Sequence, residues 1–201
     1  MIVTIDIETT FVIKNNGSFD PSPHIAGNYL VGVGYLTAPY VPMEKFFTGS
    51  SVLAKPEFIT IYHKELEEDH ITTINKFKCI QKILDTADVL IGHNIKFDLS
   101  YLLNCGFKYT GSVYDTMVSE YILARGIKRG LSLEDSCKRR DIKMPEKFIM
   151  KKYTDEGRNV DEFPLEELCM YCKGDVIASY ELARKQIEIL GGTFDDFVTN
   201  S

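Results

Sequence analysis

The sequence predicts an α/β fold, a mixed central sheet flanked by helices, and three observations carry that prediction. An alternating apolar and polar strand opens the chain, a short apolar strand near the middle runs directly into a helix, and the second half is dominated by apolar residues at helical spacing. The opening MIVTIDIETT places Ile2, Thr4, Asp6 and Glu8 on one side of a strand and Val3, Ile5 and Ile7 on the other. This reads as a central strand whose one face ends in acid. KNNGSFDPSPHIAGN follows as a loop, from its Asn, Gly, Ser and Pro content. NYLVGVGYL then supplies a second strand and PMEKFF a third, making a meander.

Residues 70–86 carry Ile71, Ile74, Phe77, Ile80, Ile83 and Leu84 at helical spacing. ADVLIG, bounded by Asp88 and Gly92, is a buried strand that feeds HNIKFDLSYLLNCG, a helix closed by Gly106. Three more helices follow: TMVSEYILAR, then SLEDSCKRR with Ser132 and Asp135 at capping-box spacing, then PLEELCMYCKGDVIASYELARKQIEIL. Strands therefore come first and helices later, with one crossover between. No repeat, low-complexity tract or linker divides the chain. Residues 1–190 are expected to form a single domain, and the breaker-rich tail at 191–201 is expected to fray.

Composition narrows the function classes. A chain of 201 residues with 44% hydrophobic and 26% charged residues can bury a proper core, which excludes a disordered or fibrous protein. No basic amino-terminal region precedes an apolar run, and no apolar stretch approaches the roughly 18 residues a bilayer crossing needs. The expectation is a soluble, cytoplasmic protein with no membrane partner. Five cysteines, an odd number, suit free thiols in reducing surroundings better than a disulfide framework. A net charge of −6 argues against holding nucleic acid by surface charge alone. Carboxylates gathered around divalent cations would reverse the local sign.

Three short motifs supply the chemistry. Asp6 and Glu8 lie two apart on a strand, so both carboxylates project to one side, roughly 6 to 7 Å apart along the backbone. Adjacent buried anions are tolerable when cations sit between them, and carboxylate oxygens are ligands that Mg²⁺ and Mn²⁺ prefer. The alternative is an exposed strand end. Tyr171 and Asp175 in YCKGD lie four apart and share a helix face. With an ordinary pKa near 10, the phenol is a poor base but a good group for orienting a water. The competing reading is a core Tyr beside a solvated Asp. Asp98 in GHNIKFD falls in the first turns of the helix after ADVLIG, where α/β sheets present ligand loops. Asn94 is either the N-cap of that helix or a substrate contact.

In this order, IDIET, GHNIKFD and YCKGD resemble the three exonuclease motifs of the DEDD superfamily of 3′–5′ exonucleases, in its tyrosine branch. That branch includes the proofreading domain of family A DNA polymerases and ribonuclease D. VYDTMVSEYILA and LSLEDSCKRR also look like the segments between the second and third motifs of proofreading domains, so the resemblance covers nearly the whole chain. It implies a ribonuclease H-like (DnaQ-like) sheet. It also implies that Asp6, Glu8, Asp98 and Asp175 hold two divalent cations, Mg²⁺ with Mn²⁺ able to substitute, and that Tyr171 orients the attacking water. Thr9 and Asn94 match positions near the substrate, and Phe11 or Val12 matches a wedge between terminal bases.

The implied substrate is a single-stranded or frayed DNA 3′ end, with a separate DNA polymerase or replication protein as partner, because no polymerase domain follows. A virus or plasmid source would suit such a nuclease. RNA trimming of the ribonuclease D kind, and a catalytically idle docking module, are the alternatives. The basic interval 139–158 carries Phe148 and Tyr153 and is either a solvated face or a guide for a single strand by charge and stacking. Cys169 and Cys172 form a CxxC inside a helix without a second ligand pair, and read as small core thiols. His93 is a lone histidine beside the second motif, and Asp115 reads as a helix cap.

Overall fold

Strand alternation and helix periodicity resolve into a three-layer arrangement. The computed structural model describes residues 1–38, 55–67, 69–144 and 148–192. In chain order these form β1 (Ile2–Thr9), β2 (Val12–Ile13), β3 (Phe19–Asp20), β4 (Leu30–Ala38), β5 (Glu57–Thr60), α1 (His70–Asp85), β6 (Val89–Gly92), α2 (Ile95–Asn104) and β7 (Ser112–Asp115). Then come α3 (Thr116–Leu123), α4 (Leu133–Arg139), α5 (Phe148–Asp155), a 3₁₀ turn at Val160–Glu162 and α6 (Leu165–Ile189).

Among the described residues, five strands make the main sheet, in the order β5, β4, β1, β6, β7. β1 is its centre, antiparallel to β4 and parallel to β6. Both of its faces are covered, as its alternation requires. Val3, Ile5 and Ile7 pack with Ile80 and Leu84 of α1 and with Ile95, Tyr101 and Leu102 of α2. On the opposite face, Ile2 meets Ala183 and Ile187 of α6, while Leu36 and Ala38 of β4 meet Val176 and Tyr180 of the same helix. Asp6 and Glu8 share this second face. Burying an aliphatic side chain fully stabilises by about 1.5–3 kcal/mol, so these two layers fix the sheet between the helices.

Helix starts follow the expected chemistry. The Asp69 carboxylate accepts the Thr72 amide at 2.7 Å and caps α1, and that of Asp115 accepts the Met117 amide at 2.9 Å and caps α3. Ser132 Oγ accepts the Asp135 amide at 3.0 Å at the start of α4. Gly106, at φ 90°, ends α2 in the left-handed region, as its placement after an apolar run predicts. Helices α3, α4 and α6 are tied together by Glu120, which is 2% exposed. It accepts from Arg140 Nε at 2.8 Å, Arg139 Nη2 at 3.2 Å and Gln186 Nε2 at 3.1 Å. Burial pushes its carboxyl pKa up, yet these donors hold it below the usual value.

The differences from expectation lie in short elements. PMEKFF falls outside the described residues, as does the tail from residue 193; among the described residues, Glu57–Thr60 pairs antiparallel to β4. Ser112–Asp115 adds an edge strand parallel to β6, so the sheet has a second crossover through α2. Inside the loop KNNGSFDPSPHIAGN, Phe19–Asp20 pairs with Val12–Ile13 in a small hairpin. Residues Phe148–Asp155 are helical. No helix among the described residues is long and apolar enough to cross a membrane.

Candidate active site

The acids of three distant segments converge where β1 leaves the sheet. Glu8, Asp98 and Asp175 are 6%, 4% and 5% exposed, and Asp6 is half-buried. β6 ends at Gly92, so β1 loses its parallel partner after Thr4. The Ile7 amide beyond that point donates instead to Asp98 Oδ1 at 3.1 Å, which ties the first turn of α2 to β1 between Asp6 and Glu8. A register shift between Glu8 and Thr9 then breaks the β1–β4 ladder, and strands bulged in this way re-aim their side chains.

On the other side, α6 closes over the acid face because β4 offers nothing there. Gly34 lies opposite Asp6 and Gly32 opposite Glu8, so the LVGVGYL strand presents two glycines beside the two acids. A Cβ on Gly34 would stand 2.5 Å from Cys172 Sγ and 3.1 Å from Val176 Cγ2; one on Gly32 would collide with the Phe58 ring. The helix therefore reaches β1, and Cys172 donates its thiol toward the Asp6 carboxylate, with Sγ 3.6 Å from Oδ2. Ligand atoms of Asp6, Glu8 and Cys172 lie within 4.8 Å of one another.

Electrostatics define what this cluster can hold. Burial raises the Asp6 pKa well above the usual range, and the charges of Glu8, Asp98 and Asp175 raise it further, against a smaller opposing effect of the Cys172 hydrogen bond. Asp98 is pushed up to about 7, chiefly by burial and also by Asp115, while its own amide and that of Ile7 pull it down. Burial also raises the Tyr171 phenol and the Cys172 thiol. Asp175, Glu8 and Asp6 add to the Tyr171 shift, and its hydrogen bond to Asp175 keeps the hydroxyl protonated. Every charge acting on Asp6 has its own sign, so divalent cations bound by oxygen ligands fit this donor set.

The remaining residues fall on two sides of expectation. Thr9 is buried at the end of β1, and Phe11 two residues on packs tilted against Phe19, ring centroids 4.4 Å apart, while its backbone is held by Asn159. Asn94 occupies the N-cap position of α2 in the left-handed region, φ 59°, but makes no side-chain capping bond. Its amide donates to Asp115 Oδ1 at 3.0 Å, and its exposed side chain borders a cavity of about 430 Å³ also lined by Asp20, Pro23, Lys96 and Phe97. Phe148 opens α5, and its side chain lies outside the described residues.

Guidance of a strand by Tyr153 is not supported, because the ring is buried against Phe163 and covered by Lys152 and Arg158. Arg139 and Arg140 are taken by Glu120. His93 bridges Thr116 Oγ1 and the Leu131 carbonyl, both at 2.8 Å, and so joins β6 to the helices after it. Cys172 is buried as a core thiol would be, yet it borders the acids. The readable signal was its spacing, three residues before Asp175 and hence on the same helix face.

A family model described as 3′–5′ exonuclease matches residues 55–188, a span that contains Asp98, Tyr171 and Asp175 and begins after Asp6 and Glu8. No curated protein sequence matches the chain. Among solved structures, one described as the apo form of the nuclease aligns at 17% identity and TM-score 0.57, covering 98% of this chain and 78% of its own. Brucella melitensis NrnC bound to pGG aligns at 18% identity and TM-score 0.56, covering 96% and 76%. The same protein with bound Mg²⁺ aligns at 18% and 0.53, covering 96% and 77%. At such identities the likeness is one of fold, and that fold is the ribonuclease H-like sheet flanked by helices.

Proposed function

Since the chain belongs to the 3′–5′ exonuclease family, we propose that it removes nucleoside 5′-monophosphates from single-stranded or frayed DNA 3′ ends, with Asp6, Glu8, Asp98 and Asp175 holding two divalent cations. The observation that carries this reading is the gathering of four acids from β1, α2 and α6 near enough that Glu8, Asp98 and Asp175 all act on Asp6. Magnesium, or manganese in its place, would activate the attacking water and stabilise the leaving 3′-oxygen. NrnC, a structural neighbour, is described with bound Mg²⁺ and with pGG, a precedent for this fold.

The chain's own groups have separable roles. Asp6 and Glu8 project from a rigid central strand, Asp98 is anchored by the Ile7 amide, and Asp175 comes from a helix of 25 residues, so the ligands are fixed before substrate arrives. Tyr171 remains protonated, so it positions a water by hydrogen bonding and is no general base. Thr9 and Phe11, which follow Glu8 on the chain, and Asn94, four residues before Asp98, would contact the terminal nucleotide. The domain at 1–190 would work beside a separate polymerase or replication protein.

The test is incubation of 5′-labelled single-stranded DNA and RNA of one sequence with the protein, in Mg²⁺, Mn²⁺ or EDTA, alongside Asp6→Ala. A metal-dependent ladder shortening DNA from its 3′ end, lost in the variant, is the expected result. Preferential decay of RNA would replace the DNA assignment, and no decay of either strand would sink the reading.

A further inference from the structure

Past the end of β1 lies a cavity of about 470 Å³ lined chiefly by Tyr29, Tyr62, His63, Lys64, Leu66 and Thr73. Its place follows from the sheet. The Thr10 amide donates to the Tyr29 carbonyl at 3.0 Å, and the Tyr29 amide to Thr10 Oγ1 at 2.8 Å, so the cavity begins two residues beyond Glu8. Tyr62 follows β5, which is separated from β1 by β4 alone. The far wall is therefore about 10 Å, two strand spacings, from the acid-bearing strand.

Three features fit one kind of ligand. The rings of Tyr29 and Tyr62 are 5.9 Å apart at 88°, and both side chains are exposed, so a flat ring can stack on one while its edge meets the other. His63 is 5% exposed and its Nδ1 accepts the Glu65 amide at 3.2 Å, which leaves the proton of the neutral ring on Nε2. That buried Nε2 has no hydrogen-bond partner among the described residues, and a buried donor left unmet is costly. Lys64 is already paired, with Nζ 2.6 Å from Glu162 and 3.5 Å from Asp161, and Asp161 also receives the Tyr29 hydroxyl at 2.5 Å. With this positive charge neutralised, the cavity does not suit a phosphate. A neutral, flat heterocycle with ring-nitrogen or carbonyl acceptors suits it.

We infer that this cavity is a second base-holding site, taking a nucleobase of the single strand upstream of the 3′-terminal nucleotide; the inference rests on the exonuclease reading above. Tyr62 stacks on the base, and a small turn of the His63 ring brings its buried Nε2–H to the base's acceptor. Such a site measures the strand, because it engages only substrates long enough to span the distance from the acids.

The experiment uses the Asp6→Ala protein, so that DNA is held without being cut, and single-stranded oligomers carrying 2-aminopurine at each of the last five positions. The expected result is fluorescence quenching at one internal position. Adding Tyr62→Ala should remove that quenching and weaken binding of the oligomer about tenfold, whereas Tyr62→Phe should keep both. Quenching and affinity left unchanged by Tyr62→Ala at every position would overturn the proposal. Failure of the exonuclease reading is seen separately, as absence of metal-dependent shortening by the unmutated protein, and the binding measurement remains readable in that case.

Discussion

Gly34 faces Asp6 across the β1–β4 ladder, and a methyl group added to it would press on the Cys172 sulfur at 2.5 Å. The glycine thereby sets how near α6 comes to the acids. Gly34→Ala is expected to destabilise by about 1–3 kcal/mol through overpacking and to lower nuclease activity at least tenfold by displacing Asp175. Adding Cys172→Ala should restore most of the stability by removing the sulfur. Thermal denaturation of the parent and these two variants decides it: a double variant no more stable than Gly34→Ala would refute the mechanism.

Tyr171→Phe removes only a hydroxyl that is protonated at working pH. A loss of about 10- to 100-fold in kcat is expected, with KM nearly unchanged, because the proposed orientation of the attacking water would act in the transition state. Steady-state kinetics in Mn²⁺ checks this, and a variant as fast as the parent would remove Tyr171 from the chemistry.

Without divalent ions, the acid cluster should make stability fall with rising pH. Asp98 is raised from 3.8 to about 7, and Asp6 is raised as well. A carboxyl with a raised folded-state pKa contributes stability that is full below its unfolded value and lost as pH climbs through the folded value. Melting temperature in EDTA should therefore drop between about pH 4 and 7, and the gain on adding Mn²⁺ should grow over the same interval. A gain independent of pH would contradict the assigned ligands.

Glu120 behaves in the opposite sense. Its pKa is held below 4.5, so its contribution is present above that value and disappears in acid. Glu120→Ala should cost about 3 kcal/mol, since it leaves Arg139 and Arg140 without their shared acceptor inside the α3–α4–α6 contact. Urea denaturation at neutral pH measures it; a change under about 0.5 kcal/mol, typical of a plain surface site, would show the contact to be dispensable.

The three acidic motifs were legible because strand alternation and helical spacing are local rules, and they assign a face to Asp6, Glu8, Tyr171 and Asp175 without tertiary knowledge. The glycines of LVGVGYL were not, because their meaning depends on a register that pairs residues 34 and 6. Ser112–Asp115 and Glu57–Thr60 escaped for a different reason: four-residue edge strands carry too little pattern to separate from the turns around them. Tyr153 looked available for stacking because aromatic and basic residues alternate around it, yet burial against Phe163 uses the ring for the core instead. The neighbouring cations lie over that ring, an arrangement that composition cannot distinguish from a surface awaiting phosphate.

Assembly of the site from residues 6, 98 and 175 also has a meaning in time. At about 5–20 residues per second of synthesis, the amino-terminal strand waits on the order of ten seconds for the helix that completes it. No nascent chain that stops short of Asp175 possesses the full set of acids, so on the proposed ligand set a stalled or truncated product would leave the nucleic acid around it uncut. On the proposed ligand set, cutting would begin only once the long helix has docked, so quality control of the fold would also be control of the blade.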